Sequence, residues 1–165
     1  MAIDSSLSGV VSSTDTPTSK PAVLVTGGAG YIGSHAVLAL ESAGYQAIIL
    51  DNLEYGHQEL AQQHLKAKII VGSTTDRPLL DEIFSTHNVA AVMHFAAYIA
   101  VGESVTEPAK YYRNNVYGTL NLLEAMVAAD IKRLVFSSTC AIYGPPKTVP
   151  IPEDHPQNPI SPYAT

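Results

Sequence analysis

Apolar residues in this chain fall into short runs separated by longer amphipathic stretches. Residues 23–26, 46–50, 68–71, 90–95 and 133–137 are dominated by Val, Ile, Leu and Ala, with little alternation of polar and apolar positions. Such runs predict strands buried on both faces, as in a parallel sheet. Between them the period changes to that of a helix. Ile32, Ala36, Leu40 and Ala43 share one face after the first run, and Gly44 supplies a stop. Asp76 opens a helix to about residue 87, with Leu79, Leu80, Ile83 and Phe84 inward. Residues 111–129 form the clearest helical pattern. Tyr112, Val116, Leu120, Leu123 and Val127 make one stripe, predicted either to join the core or to face a second subunit. Strands alternating with helices predict an α/β fold, a doubly wound parallel sheet of Rossmann type with ligands at the carboxyl ends of the strands. Residues 144–162 hold seven prolines, which excludes a helix or an inner strand there.

Composition narrows the function. The chain has 165 residues, 46% of them hydrophobic, enough for one domain with a sizeable core. Residues 1–20 are rich in Ser, Thr and Asp and are expected to form a disordered tail, leaving 21–165 as the folded domain. They lack the basic start and apolar core of a signal peptide. No apolar run approaches the roughly 18 residues that span a membrane, so no membrane association is expected. A net charge of −6 without a Lys/Arg cluster argues against nucleic acid. The single cysteine, Cys140, excludes an intrachain disulfide and fits a reducing, cytoplasmic setting. It reads as a packed thiol. The six histidines, His35, His57, His64, His87, His94 and His155, show no ligand spacing, so no metal site is expected.

The candidate chemistry begins at the first strand, which runs into Thr26-Gly27-Gly28-Ala29-Gly30-Tyr31-Ile32-Gly33. Gly27 permits a tight turn, Gly30 lets backbone approach a pyrophosphate, and Gly33 lets the helix lie close to the sheet. The phosphates then meet the free N–H groups of the helix beginning near Tyr31. The second strand ends in Asp51, 24 positions after Gly27. This is close to the roughly 20-residue spacing of an acid that holds the adenosine ribose. A carboxylate there accepts ribose hydroxyls and repels a 2′-phosphate, so NAD is expected over NADP. The competing reading is a ligand-free turn in which Asp51 caps a loop.

Further segments carry a family resemblance: Asp51-Asn52-Leu53, His94-Phe95-Ala96-Ala97, Val101-Gly102-Glu103-Ser104-Val105, Tyr111-Tyr112-Arg113-Asn114-Asn115-Val116, Gly118-Thr119, Ser137-Ser138-Thr139 and Ser161-Pro162-Tyr163. Together with the glycine turn they resemble the extended short-chain dehydrogenase/reductase superfamily. Within it, they are most similar to the UDP-glucose 4-epimerase group of NAD-dependent epimerases and dehydratases. The resemblance implies that Tyr31 and Ile32 lie over the pyrophosphate. Asp51 and Asn52 would hold the adenosine ribose, and residues 53–56, from Leu53 on, would shape the rim. Ser73 and Thr74 would stand by the adenine, Phe95, Ala96 and Ala97 would run beside the cofactor, and Asn114 would support it. Thr139 would bond the sugar's C4 hydroxyl, and Tyr163 would be the catalytic base. Glu103 reads equally as a helix-start acid or a site residue.

The activity implied is interconversion of UDP-glucose and UDP-galactose by oxidation and re-reduction at C4, with NAD regenerated. The partners implied are a UDP-sugar and a second subunit, through helices around residues 103–127. A related enzyme acting on a UDP-pentose or UDP-uronate and a non-catalytic NAD-binding module are the alternatives. Three departures from the family stand out. Ser73 replaces an acid, Ile99 replaces a lysine, and the lysine four positions after the tyrosine falls at 167, past Thr165. A free tyrosine has a pKa near 10, so about one in a thousand is ionised at pH 7, and a neighbouring ammonium favours the phenolate. The 165-residue chain is therefore expected to stop short of the C-terminal substrate domain and to be inactive alone.

Overall fold

A computed structural model describes residues 21–165; the tail expected at 1–20 lies outside the described residues. The strands are β1 (Ala22–Thr26), β2 (Gln46–Asp51), β3 (Lys68–Val71), β4 (Val89–His94) and β5 (Leu134–Phe136). They form one sheet in the order β3-β2-β1-β4-β5, every pair parallel. This is the expected doubly wound arrangement. The chain winds outward through β2 and β3, then crosses back to β4 beside β1. The order reverses between β1 and β4, and the crevice at their carboxyl ends is where such sheets take ligands.

The helices are α1 (Tyr31–Ser42), α2 (Gln58–His64), α3 (Arg77–Thr86), α4 (Val101–Thr106), α5 (Pro108–Tyr111) and α6 (Gly118–Ala128). Strand alternation divides the core into two layers. Leu24, Ile48, Leu50 and Val92 face Leu80 and Ile83 of α3 and Leu122 and Met126 of α6. Val25, Ala47 and Ile49 face Val37 of α1, with Ala61 of α2 and Leu65 beside it. Burying each large aliphatic side chain contributes about 1.5–3 kcal/mol. Asp76 caps α3, its carboxylate accepting the Leu79 N–H at 3.1 Å, and Pro78 occupies the first turn.

Four expectations need correction. The buried face of α1 is Gly33 and Val37, with Leu40 half-buried; Ile32 and Ala43 are exposed. The glycine turn sets this rotation, because a Cβ on Gly33 would lie 2.1 Å from the Gly27 carbonyl oxygen. Strand β4 begins at Val89 and ends at His94, one residue earlier than the apolar run suggests. Cys140 is exposed at the start of a 3-10 turn, Cys140–Tyr143.

The fourth correction concerns residues 111–129. A π-helical segment, Tyr112–Tyr117, separates α5 from α6. Its wider turn breaks the 3.6-residue period on which the stripe was read. In α6 the inward side is Gly118, Asn121, Leu122, Ala125 and Met126. Tyr112, Val116, Leu120, Leu123 and Val127 point outward, 38–79% exposed. The stripe therefore does not join the core of this chain.

Candidate functional site

The site begins at the turn after β1. Gly27 has φ +71°, and a Cβ there would lie 2.7 Å from the Ala96 amide nitrogen. Only glycine lets the turn sit this close to the chain leaving β4. Helix α1 follows with Gly30 as N-cap, no capping side chain and no acid in its first turn. Its first N–H groups and positive dipole end are directed at the crevice. Across from them Asp51 ends β2, only 7% exposed. Its Oδ2 accepts the Ala29 N–H at 3.0 Å and its Oδ1 the Leu53 N–H at 2.9 Å. One carboxylate thus ties the glycine turn to the rim loop 53–56. The loop-cap reading of Asp51 holds as geometry, and each oxygen keeps a lone pair for a further donor.

Two adjoining clefts open at the carboxyl ends of the strands. Gly27, Gly30, Asp51, Asn52, Ser73, Thr74, Phe95, Ala96, Ala97 and Asn114 all line the first, as the sequence reading grouped them. Thr139 and Tyr163 line the second together, some of whose wall is again Phe95, Ala96 and Ala97. The segment after β4 is therefore the partition between the clefts. Four candidates stand outside these walls. Tyr31 is 82% and Ile32 60% exposed on the outer face of α1. Gly33 packs behind the turn, and Leu53 points into the core at φ +60°. Ser73 Oγ already bonds Thr75, through its hydroxyl at 2.9 Å and its N–H at 3.1 Å. Thr139 has two roles, since its Oγ1 also accepts the Ala141 N–H at 3.2 Å and starts the 3-10 turn.

Comparison with known proteins bears directly on this geometry. The family model described as "NAD dependent epimerase/dehydratase family" matches residues 23–165. The chain belongs to that family. Among curated relatives, a UDP-glucose 4-epimerase of Rhizobium meliloti (strain 1021) is 53% identical over 141 residues, 86% of this chain and 42% of the relative. A putative UDP-arabinose 4-epimerase of Arabidopsis thaliana is 49% identical over 148 residues, 86% of this chain and 34% of the relative. Among solved structures, the Brucella ovis UDP-glucose 4-epimerase in complex with NAD superposes with TM-score 0.82 at 46% identity. It shares 87% of this chain and 43% of its own. The chain thus spans about two-fifths of the length of the relatives it matches.

Tyr55 and Gly56 of the expected rim line the first cleft. Several further cleft residues of this family member were given no role from sequence, Tyr98 in the first cleft among them. His94, Asn115 and Thr119 line the second. His94 ends β4, almost fully buried. Its Nδ1 lies 2.6 Å from Thr26 Oγ1 and its Nε2 2.9 Å from Thr119 Oγ1. Thr119 donates its own hydroxyl to the Asn115 carbonyl at 2.6 Å. His94 Nε2 must then be the donor to Thr119, and Nδ1 accepts from Thr26. Burial pushes the His94 pKa down to about 4, which keeps the ring neutral in this tautomer. Asn115 in turn holds Tyr98 by both backbone groups, accepting its N–H at 2.9 Å and donating to its carbonyl at 3.0 Å. A polar chain from β1 through β4 to the π segment thus fixes the partition between the clefts. The π segment itself sends Asn114 to one cleft and Asn115 to the other, consistent with the frequency of such segments at functional sites. Glu103, left open above, lines neither cleft; it sits in the first turn of α4 and pairs with Lys110 at 2.9 Å.

Proposed function

We propose that this chain supplies the NAD-binding part of a UDP-sugar 4-epimerase that interconverts UDP-glucose and UDP-galactose. The observation that carries this is the shared wall. The first cleft ends on Phe95–Ala97, and Thr139 and Tyr163 line the cleft on the other side of it. A dinucleotide lying along the first cleft brings its far end to the two hydroxyls in the second.

The residues present fit NAD. Gly27 and Gly30 line the first cleft beside the uncapped start of α1, which suits a pyrophosphate. Asp51 accepts ribose hydroxyls with its remaining lone pairs and disfavours a 2′-phosphate. When bound, NAD supplies the acceptor and donor of hydride at C4 of the sugar. Tyr163 takes the proton of the C4 hydroxyl and returns it after the sugar has turned over in the site. Thr139 Oγ1 bonds the same hydroxyl and fixes its direction. Ser73 gives the adenine a weaker hold than an acid. The exposed stripe from Tyr112 to Val127 supports a homodimer, and the single cysteine supports a cytoplasmic location. Among the described residues no helix is long and apolar enough to cross a membrane.

The Arabidopsis relative favours a second reading, a UDP-pentose 4-epimerase with the same C4 chemistry. The test uses a chimera completed with the C-terminal portion of the Rhizobium meliloti relative, assayed with UDP-galactose and UDP-arabinose. Conversion of UDP-galactose is expected, and Tyr163→Phe should lower it by about 10²–10⁴-fold while dinucleotide binding persists. An unaffected rate in Tyr163→Phe would show that the base lies elsewhere.

A further inference from the structure

The rim loop 53–56 forms one lip of the first cleft. Its inner side is bonded to Asp51 through the Leu53 N–H. Its outer side carries Glu54, and this carboxylate accepts the Tyr98 hydroxyl across 44 positions of sequence. Glu54 also lies 3.5 Å from Lys110 Nζ. Tyr98 lines the cleft and is gripped at its backbone by Asn115. Its ring meets the edge of Tyr55, also a cleft residue, at 5.9 Å. The Lys110 ammonium stands 4.5 Å over the Tyr98 ring centroid. Lys110 is held in turn by Glu103 at 2.9 Å, and the buried Tyr111 hydroxyl reaches the other Glu103 oxygen at 2.7 Å.

We propose that Glu54 and Lys110 form a latch that, acting through Tyr98, holds the rim loop against α5 and slows the release of a dinucleotide from the first cleft. The proposal rests on the dinucleotide reading of that cleft. Neither Glu54 nor Lys110 lines it, so both are positioning residues. Opening the lip requires the Glu54–Tyr98 bond and the Glu54–Lys110 pair to break together. Lys110 belongs to α5 and cannot follow the loop, because its ammonium is held by Glu103 of α4, which the Tyr111 hydroxyl holds in turn. Burial and the Glu54 bond push Tyr98 up to about 12, so the hydroxyl stays a donor. The Lys110 bond holds the Glu103 carboxyl below its usual range, and both remain charged at neutral pH. Retention also suits the proposed chemistry: a cofactor restored in every turnover need not leave.

The experiment loads the purified protein with NADH and displaces it with excess NAD, following bound NADH by fluorescence. Lys110→Met and Glu54→Gln should each raise the dissociation rate roughly three- to fivefold, within the range of a single exposed ion pair. Association and melting temperature should stay unchanged. The double variant should match the singles, since both remove one latch. Lys110→Arg should retain the slow rate, and added salt should speed release in the unmodified protein more than in the variants. Unchanged dissociation in both single variants, with NADH bound by the unmodified protein, overturns the latch. Absence of NADH binding by the unmodified protein, or binding indifferent to Asp51→Ala, overturns the dinucleotide reading and the latch with it.

Discussion

At the scale of single residues, Asp51 concentrates the most consequence in the fewest atoms. Its carboxylate closes the glycine turn and the rim loop through two backbone N–H groups. The same buried oxygens face the cleft where a ribose would lie. Asp51→Ala should therefore weaken NAD binding by about tenfold or more, the worth of hydrogen bonds to a charged acceptor. The unmodified protein should bind NAD more tightly than NADP, since a 2′-phosphate would meet this charge. Calorimetric titration with both dinucleotides checks this, and equal affinities would defeat it. Gly56 is part of the same arrangement: a Cβ there would lie 2.6 Å from Asp51 Oδ1, so the rim loop can approach the acid only through glycine.

At the scale of elements, the end of β4 decides how the strands meet the π segment. The histidine there is held neutral, its pKa lowered by burial to about 4 against an ordinary 6.5. The sign follows from linkage. Above pH 6.5 the ring is neutral in both folded and unfolded chains and contributes no pH dependence. Between 6.5 and 4 the unfolded chain takes up a proton that the folded chain refuses, so stability falls as pH falls. From pH 7 to 4.5 the loss should reach about 2–3 kcal/mol. Urea unfolding at the two pH values measures it, and His94→Gln should remove that share of the difference. A pH response equal in the variant and the unmodified protein would place the acid sensitivity elsewhere.

At the scale of the whole molecule, the outward stripe on the π segment and α6 is an apolar surface that the core of this chain leaves uncovered. Leu120, Leu123 and Val127 lie on one side of α6, while Leu122, Ala125 and Met126 bury the other. A helix apolar on both sides is stable in water only when both are covered. The proposed homodimer covers the second. Leu120→Glu or Val127→Asp should leave the core intact and shift sedimentation to the monomer. A dimer that survives both substitutions would move the interface off this face.

Much of this was legible in the chain itself. Short apolar runs such as residues 47–50 read as inner parallel strands because helical stretches alternate with them, and the spacing of Gly27, Gly30 and Gly33 between a strand and a helix reads as a tight turn. Asp51 could be named because it ends the second strand, where a parallel sheet gathers its ligand contacts; Phe95, Ala96, Ala97, Thr139 and Tyr163 were named from the family resemblance, and the fold brings them to the two clefts. What the chain could not state was rotation and long-range pairing. The face of α1 depended on the contact of Gly33 with the Gly27 carbonyl, and the stripe on residues 112–127 depended on a π segment that shifts the period without any change in composition. His94 found Thr26 and Thr119, and Glu54 found Tyr98 and Lys110, across many positions of sequence. Local periodicity records which residues avoid water. Only the folded chain decides which polar atoms, brought together from distant segments, answer one another.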